Sequence, residues 1–302
     1  MIRKFCFLLI SIFLLSSSEI KSQGCSDAGF CTLHGIKPES NPKESLSNFL
    51  NIGVSYGKAD YSTNAVGYYF NYNRRFGKYI NADLKVTALS QSGNDISEFG
   101  MSDIFVSGSY TVSKEASFTV GTKIPLSKSD KSSDSLPLPM NYQSSLGTFD
   151  LIAGFSYSIN KLNLSIAYQQ PLTQNENKFI AEDYPADSPL REFQSTNEFE
   201  RSGDVLFRAS YVINAGKNFI ITPGILPIFH LGNDKFTDKD GKQQEIEGSN
   251  GLTFNINLYL DYLINPNNAF QLNAGFPVIT RDSRPEGLAR SFVGTLEYKI
   301  SF

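Results

Sequence analysis

The chain has 302 residues, of which 40% are hydrophobic and 19% charged, and its formal net charge is −3. This length suits one large domain, and the acidic balance argues against a nucleic-acid surface, which needs clustered basic residues. The sequence contains neither a His/Cys cluster with zinc-site spacing nor a glycine-rich phosphate loop, so we expect no metal and no cofactor.

Residues 1–23 have the pattern of an export signal. Arg3 and Lys4 precede the apolar run 5–15, and small residues follow at 16–18. The run is too short to span a bilayer as a helix. We predict an exported protein, and removal of the signal would leave a formal charge of −5, because three basic residues and one acidic residue are lost.

The next stretch, residues 24–45, contains the cysteine pair Cys25 and Cys31. In an oxidising compartment this spacing predicts a small disulfide loop. The rival interpretation is a lipid anchor on Cys25, but the three residues 22–24 before it lack the usual apolar residue.

From residue 46 to residue 302, apolar and polar residues alternate in twelve segments. The segments are 48–57, 65–76, 79–89, 102–113, 116–127, 148–159, 162–172, 204–213, 218–229, 252–264, 269–280 and 290–302. Each is close to the ten or so residues that a tilted strand needs to cross a membrane. We predict one all-β domain over 46–302, an antiparallel transmembrane β-barrel of about twelve strands.

The connections between these segments alternate between short turns and long polar stretches. The long stretches include 128–147, 173–203 and 233–251, and short periplasmic turns with long extracellular loops are typical of outer-membrane barrels. Periodicity alone does not exclude a soluble sandwich. The face opposite the apolar residues is rich in Asn, Ser, Asp and Lys, however, and a sandwich core could not bury these groups without partners.

The last segment, "GTLEYKISF", is apolar on alternate residues up to Phe302. Lipid would cover this face, and pairing of the last strand with the first would remove the open edge. The terminal aromatic resembles the assembly signal of bacterial outer-membrane barrels, which implies the barrel assembly machinery as a partner. We predict location in the outer membrane of a Gram-negative bacterium, with membrane lipid as a second partner.

Charged residues recur near the predicted outer mouth. Asp103, Asp150 and Asp204 begin strands that descend from long loops, and we expect them inside the barrel, paired with Lys123 and Arg208 to stiffen the wall. The alternative is a carboxylate ring that favours cations or orients a polar head group, since charges in the lumen tune selectivity.

Four prolines lie near the ends of the ascending strands, at Pro125, Pro171, Pro227 and Pro277, and all but Pro171 stand between two apolar residues. Because proline cannot donate to the strand ladder, we predict that they mark where the strands leave the bilayer. The alternative is a kinked rim that opens a lateral gap for an apolar solute, and Pro223 makes the ninth strand the most irregular.

The stretches "GMSDIFVSGSYTVSKEASFTVGTKIPLS" and "LGTFDLIAGFSYSI" resemble the outer-membrane transporter family of the phenol-degradation meta-pathway, which is grouped loosely with the long-chain fatty-acid transporters. The matching features, within a resemblance over 46–302, are Gly100, Asp103, Pro125, Gly147, Asp150 and Phe302. The family implies passive uptake of small hydrophobic or aromatic compounds without a cofactor. Because the fatty-acid transporters have an N-terminal hatch, residues 24–45 could form a plug or periplasmic cap, or an ordered leader without a gating role.

Two other classes of function compete with transport. Hydrolysis would need a histidine beside a serine, and we interpret His230 as a rim residue that faces solvent or the membrane interface, so we predict no enzyme. The stronger rival is a closed barrel whose loops carry a structural or surface-binding role. Bulky inward residues such as Phe105, Leu206 and Tyr259 favour it, as does the aromatic loop 173–203. We predict a passive channel or transporter for small solutes.

Overall fold

The computed structural model describes residues 33, 35–38, 48–287 and 290–302. The predicted signal and the predicted disulfide between Cys25 and Cys31 lie outside the described residues. Within the described ranges, no helix is long and apolar enough to cross a membrane.

The described chain forms twelve long antiparallel strands, which confirms the predicted strand number and fold class. The strands are β1 (Phe49–Ala59), β2 (Asn64–Phe76), β3 (Ile80–Gly93), β4 (Ile96–Thr111), β5 (Ala116–Pro125), β6 (Asp150–Ile159), β7 (Leu162–Pro171), β8 (Asp204–Tyr211), β9 (Phe219–His230), β10 (Gly251–Asn265), β11 (Asn268–Ile279) and β12 (Arg290–Ser301). Each strand pairs with its neighbours in sequence, and a short piece, Ile213–Asn214, extends β8 along β9.

The barrel is closed by pairing of β1 with β12. Phe49 lies opposite Ser301, and the register continues to Gly57 opposite Val293. This pairing leaves no open sheet edge, which a membrane-spanning sheet requires, because lipid cannot satisfy free backbone groups.

Side chains alternate between the two faces of the wall. On β10, Ile256 and Leu258 point outward and are exposed, whereas Asn255 and Asn257 point inward and are buried. The same alternation leaves Leu296 on β12 exposed on the apolar outer surface. A polar interior and an apolar exterior are the reverse of a soluble domain and match a barrel immersed in lipid. The protein is a transmembrane barrel of the outer membrane.

The two ends of the barrel differ. We call "turn end" the end that carries both termini of the barrel and only short connections. We call "loop end" the opposite end, which carries the short turns 60–63 and 94–95 and the longer connections 126–149, 172–203, 231–250 and 280–289. At the loop end, two of the connections share a small hydrophobic core. Its members are Leu138, Tyr142, Phe179, Ala181, Tyr184, Leu190 and Phe193, with Leu136 and Ile96 of β4 beside them.

These loops reach across the mouth. The Tyr142 hydroxyl donates to the Gly93 carbonyl at 2.9 Å, and the rings of Phe193 and Tyr61 lie 4.4 Å apart. The aromatic side chains of 173–203 are therefore buried beneath the loop surface; Phe199, for example, is fully buried. These aromatic residues are therefore not exposed for contact with a partner, so they do not support the surface-binding alternative in the way that the sequence suggested.

The prolines occupy two kinds of position. Pro125 and Pro171 are the last residues of β5 and β7, whereas Pro227 and Pro277 lie inside β9 and β11. Between β8 and β9, the paired register passes from Leu206–Ile228 to Ala209–Ile225, which leaves out the positions around Pro227. Since proline has no N–H, the ladder between β8 and β9 is interrupted there.

The orientation of β10 can be tested with one lysine at adjacent positions. We expect Leu258→Lys to lower the free energy of unfolding by about 2–4 kcal/mol, because it places a charge in the lipid near the middle of the strand. Asn257→Lys is the matched control, since its side chain points into the polar lumen, and it should cost much less. The measurement is urea unfolding from lipid vesicles, and equal losses would contradict the assigned faces.

Candidate functional site

The N-terminal residues that the structure describes lie inside the barrel. Leu33 and Ile36 are buried against inward side chains in the middle of the lumen. We call this group the apolar constriction, and its members are Leu33, Ile36, Phe105, Ile152, Ala167, Leu206, Leu226 and Ile228. It joins residues near the N-terminus to β4, β6, β7, β8 and β9, so it occupies one side of the lumen.

We call the described residues 33 and 35–38 the N-terminal segment, and the inner surface of the barrel wall is complementary to it. The Gly35 carbonyl accepts a hydrogen bond from Ser156 Oγ at 2.7 Å, and the Ile36 carbonyl accepts one from Arg208 Nη1 at 2.8 Å. A Cβ at Gly35 would lie 2.2 Å from Thr119 Oγ1, so only glycine fits at this point. The segment is thus held by specific backbone contacts as well as by apolar packing.

At the loop end, Lys123 and Asp150 form a buried ion pair, with Lys123 Nζ 3.0 Å from Asp150 Oδ2. Thr148 accepts from Lys123 at 2.9 Å and donates to Asp150 at 2.6 Å, and Gln169 also donates to Asp150. Asp103 lies nearby and accepts hydrogen bonds from two serines, Ser102 and Ser145. The three predicted aspartates therefore do not form one uniform ring.

Asp204 belongs to a second buried group, which we call the His230 cluster. His230 Nδ1 lies 2.7 Å from Asp204 Oδ1, and Nε2 lies 2.8 Å from Asp234 Oδ1. Both ring nitrogens can donate at once only when the imidazole is doubly protonated. Arg201 Nη2 lies 2.5 Å from Asp204 Oδ2. His230 is 4% exposed, so its interpretation as a solvent-facing rim residue is wrong.

A further buried pair, Arg281 and Glu286, adjoins this cluster. Arg281 donates to the carboxylate of Glu286 and, at 2.5 Å, to the carbonyl of Ser249, so it joins two of the long connections. Burial alone would raise the pKa of Glu286. The guanidinium groups of Arg281 and Arg201 outweigh burial and hold that pKa below its usual range.

The structure thus separates the predicted charged residues. Lys123 pairs with Asp150, whereas Asp204 pairs with Arg201 and His230, and Arg208 binds the N-terminal segment. Their effect on selectivity stays a prediction. The partners that the sequence analysis missed are Arg201, Asp234, Arg281 and Glu286, which lie in loops, where no strand periodicity indicates which side chains face inward.

At the turn end, the lumen contains a small polar cavity of about 30 Å³, which we call the vestibule. This volume suits about two water molecules. The lining residues are Lys37, Pro38, Asn51, Tyr69, Asn71, Lys85, Asp261, Ala269, Gln271, Glu297 and Lys299. Lys37 belongs to the N-terminal segment, and its Nζ lies 3.2 Å from Glu297 of β12. The N-terminal segment is therefore held in the apolar constriction by Leu33 and Ile36 and at the turn end by the ion pair of Lys37 with Glu297.

Several inward polar groups have no protein partner. Neither the nitrogen nor the oxygen of the Asn257 amide is hydrogen-bonded, and the Thr222 hydroxyl is likewise unpartnered in the described part of the chain. Asn257 stands between two inward glycines, Gly224 and Gly275. Buried polar groups without protein partners require water. Internal water would satisfy these groups. Over the described ranges, no cluster of His, Cys, Asp and Glu could hold a metal ion.

Neither a protein-family model nor a curated protein matches the sequence. Solved structures similar to the chain include the NanC porin, with 10% identity, coverage of 85% of this chain and 99% of that chain, and a TM-score of 0.45. The CymD monoaromatic hydrocarbon channel shows 8% identity, coverage of 95% and 99%, and a TM-score of 0.45. The Ralstonia pickettii toluene transporter TbuX shows 10% identity, coverage of 94% of this chain and 99% of that chain, and a TM-score of 0.42. Similarities this low assign neither a family nor a solute.

The buried ion pair at the loop end gives a stability prediction. We expect Lys123→Met to lower the free energy of unfolding by about 3–5 kcal/mol, because it leaves the Asp150 carboxylate buried without its cation. The double variant with Asp150→Asn should recover part of the loss. Urea unfolding from vesicles measures both. A single variant as stable as the wild type would show that the pair is not formed.

The Arg281–Glu286 pair gives a pH prediction. Because the folded pKa of Glu286 lies below the unfolded value of about 4.3, its contribution to stability is present above that pH and lost as the pH falls through the folded pKa. The wild type should therefore be more stable than Glu286→Gln at about pH 6, and the difference should shrink towards about pH 3. Urea titrations of both proteins across this range measure it. A difference independent of pH would refute the assignment.

Proposed function

We propose that this protein is a passive outer-membrane channel for small solutes, and that the N-terminal segment whose residues 33 and 35–38 lie in the lumen acts as its plug. The observation that carries the proposal is the unpartnered polar wall around Asn257, between Gly224 and Gly275. Leaving such groups dry costs about 1–3 kcal/mol each, which a barrel with a purely structural role would have no reason to retain.

The apolar constriction supports a solute with hydrophobic character. Side chains such as Phe105, Leu206 and Leu226 form an inward apolar wall that receives Leu33 and Ile36. When the segment moves, the same wall is free to contact an apolar or aromatic solute of similar size. This matches the uptake of small hydrophobic or aromatic compounds that the family resemblance implies.

A closed barrel with a role carried by its loops is the second candidate. The hydrophobic core around Leu138, Tyr142 and Phe179 favours it, because it gives the loops at the mouth a packed structure of their own. On this alternative, the N-terminal segment would be a permanent filler of the lumen. The two candidates differ in whether removing the contacts of the segment opens a passage.

The test is single-channel conductance of the refolded protein in planar bilayers. We expect the double variant Leu33→Gly with Ile36→Gly to show long openings, because the segment loses its apolar contacts while the wall is unchanged. In that background, Gly275→Leu should reduce the conductance by narrowing the polar passage. Gly108→Leu is the matched control, since Gly108 faces outward and a Cβ there would meet only the Asn81 carbonyl oxygen, at an ordinary contact distance of 3.9 Å.

The outcomes separate the two candidates. Openings in the double variant that Gly275→Leu reduces and Gly108→Leu leaves unchanged would support the channel. A double variant that folds but stays silent would overturn it and favour the closed barrel. Folding is checked by the far-UV β signal and by the shift in gel mobility on heating.

A further inference from the structure

We propose that Glu297, Tyr69 and Asn51 form a binding site for the primary ammonium group of a small amphiphilic solute. Lys37 occupies this site as an internal ligand. The inference rests on the proposed function, because the ligand enters when the N-terminal segment leaves, and it adds a chemical class for the solute.

The contacts of Glu297 have the form of a built cation site. Lys37 Nζ lies 3.2 and 3.3 Å from the two carboxylate oxygens, so one ammonium group bridges both. Two donors on the wall fix the carboxylate from other directions. Tyr69 donates to Oε2 at 2.5 Å, and Asn51 donates to Oε1 at 3.1 Å. Glu297 is 5% exposed, which strengthens its attraction for a cation relative to water.

The other lysines of the vestibule have a second kind of contact. Lys85 Nζ lies 4.1 Å from the centre of the Tyr69 ring, and Lys299 Nζ lies 4.0 Å from the centre of the Phe49 ring. These distances are those of cation–π contacts. Lys37 is the lysine that bridges both oxygens of Glu297, and it belongs to a segment outside the barrel wall.

The ion pair of Glu297 is made by Lys37 rather than by the wall. Among the charged wall residues that line the vestibule, Lys85 and Lys299 balance Asp261 and Glu297 in formal charge. The two wall lysines lie over aromatic rings, however, and the cation in ion-pair contact with the Glu297 carboxylate is Lys37. Because a buried charge without a partner is costly, departure of Lys37 is favoured when another cation replaces it.

The neighbouring residue defines the rest of the ligand. Ile36 precedes Lys37 in the chain and lies in the apolar constriction, so the segment itself presents an apolar group close to an ammonium group. A solute that satisfies both parts of the wall would therefore be an amine with a compact apolar or aromatic body. A neutral hydrocarbon would fill the constriction but leave Glu297 unpaired.

The experiment is calorimetric titration of the full-length protein, refolded in detergent micelles, with phenethylammonium chloride. Lys37→Ala empties the site without altering the wall, and this variant should bind the amine saturably. The wild type should bind at least about tenfold more weakly, because Lys37 competes. The neutral analogue 2-phenylethanol should bind Lys37→Ala at least about tenfold more weakly than the amine.

Two further variants in the Lys37→Ala background test the role of Glu297. Glu297→Gln keeps the size of the side chain and should weaken amine binding at least about tenfold. Asp261→Asn is the matched control, because it removes the same charge from the same vestibule but should leave the affinity nearly unchanged. Equal weakening by both variants would show a general charge effect and overturn the site. Equal binding of the amine and its neutral analogue would also overturn it.

Failure of this site and failure of the channel can be distinguished. Binding in micelles does not require conduction, whereas the channel is tested by conductance in bilayers. Saturable, Glu297-dependent binding by a protein that stays silent would support the site and remove the channel. Conductance without amine binding would overturn the site alone.

Discussion

Closure of the β-ladder in lipid is the constraint on which the rest of this structure depends. Hydrocarbon cannot hydrogen-bond to free N–H and C=O groups, so the sheet must have no edge, and β12 must return to β1. Closure then fixes the two faces. Ile256 and Leu258 point outward, and Asn255 and Asn257 point inward. The polar lumen is thus a direct consequence of the alternation that suits the membrane.

The lumen is lined by apolar side chains on one side and by polar side chains on another. One side is apolar and receives Leu33 and Ile36, while another side is polar and keeps unpartnered groups such as Asn257. Lys37 continues the same segment to Glu297 at the turn end. The N-terminal segment contacts both an apolar wall and a carboxylate. A solute that replaced it would need an apolar part and a cationic part.

The long connections of the loop end are held by buried charges as well as by short strand pairings, such as that of Lys235–Thr237 with Gln243–Glu245. The His230 cluster and the Arg281–Glu286 pair connect the strands to the long connections, and an apolar core that includes Tyr142 joins those connections to each other. Since breaking a buried ion pair costs about 3–5 kcal/mol, such groups specify one arrangement of the loops. Opening of the mouth would require rearrangement of these pairs.

The sequence by itself determined the barrel: a period of two repeated twelve times, long polar loops confined to one end, and a last strand apolar on alternate residues up to Phe302. These features are local in the sequence. They are sufficient to predict a barrel because lipid requires an apolar outer face and a sheet without free edges. Only the tertiary structure decided which side chains meet inside. It placed His230 between two aspartates, gave Arg201 to Asp204, and brought Lys37 to Glu297, 260 residues away. Loops and an inserted segment have no periodicity, so their contacts depend on the closed barrel around them.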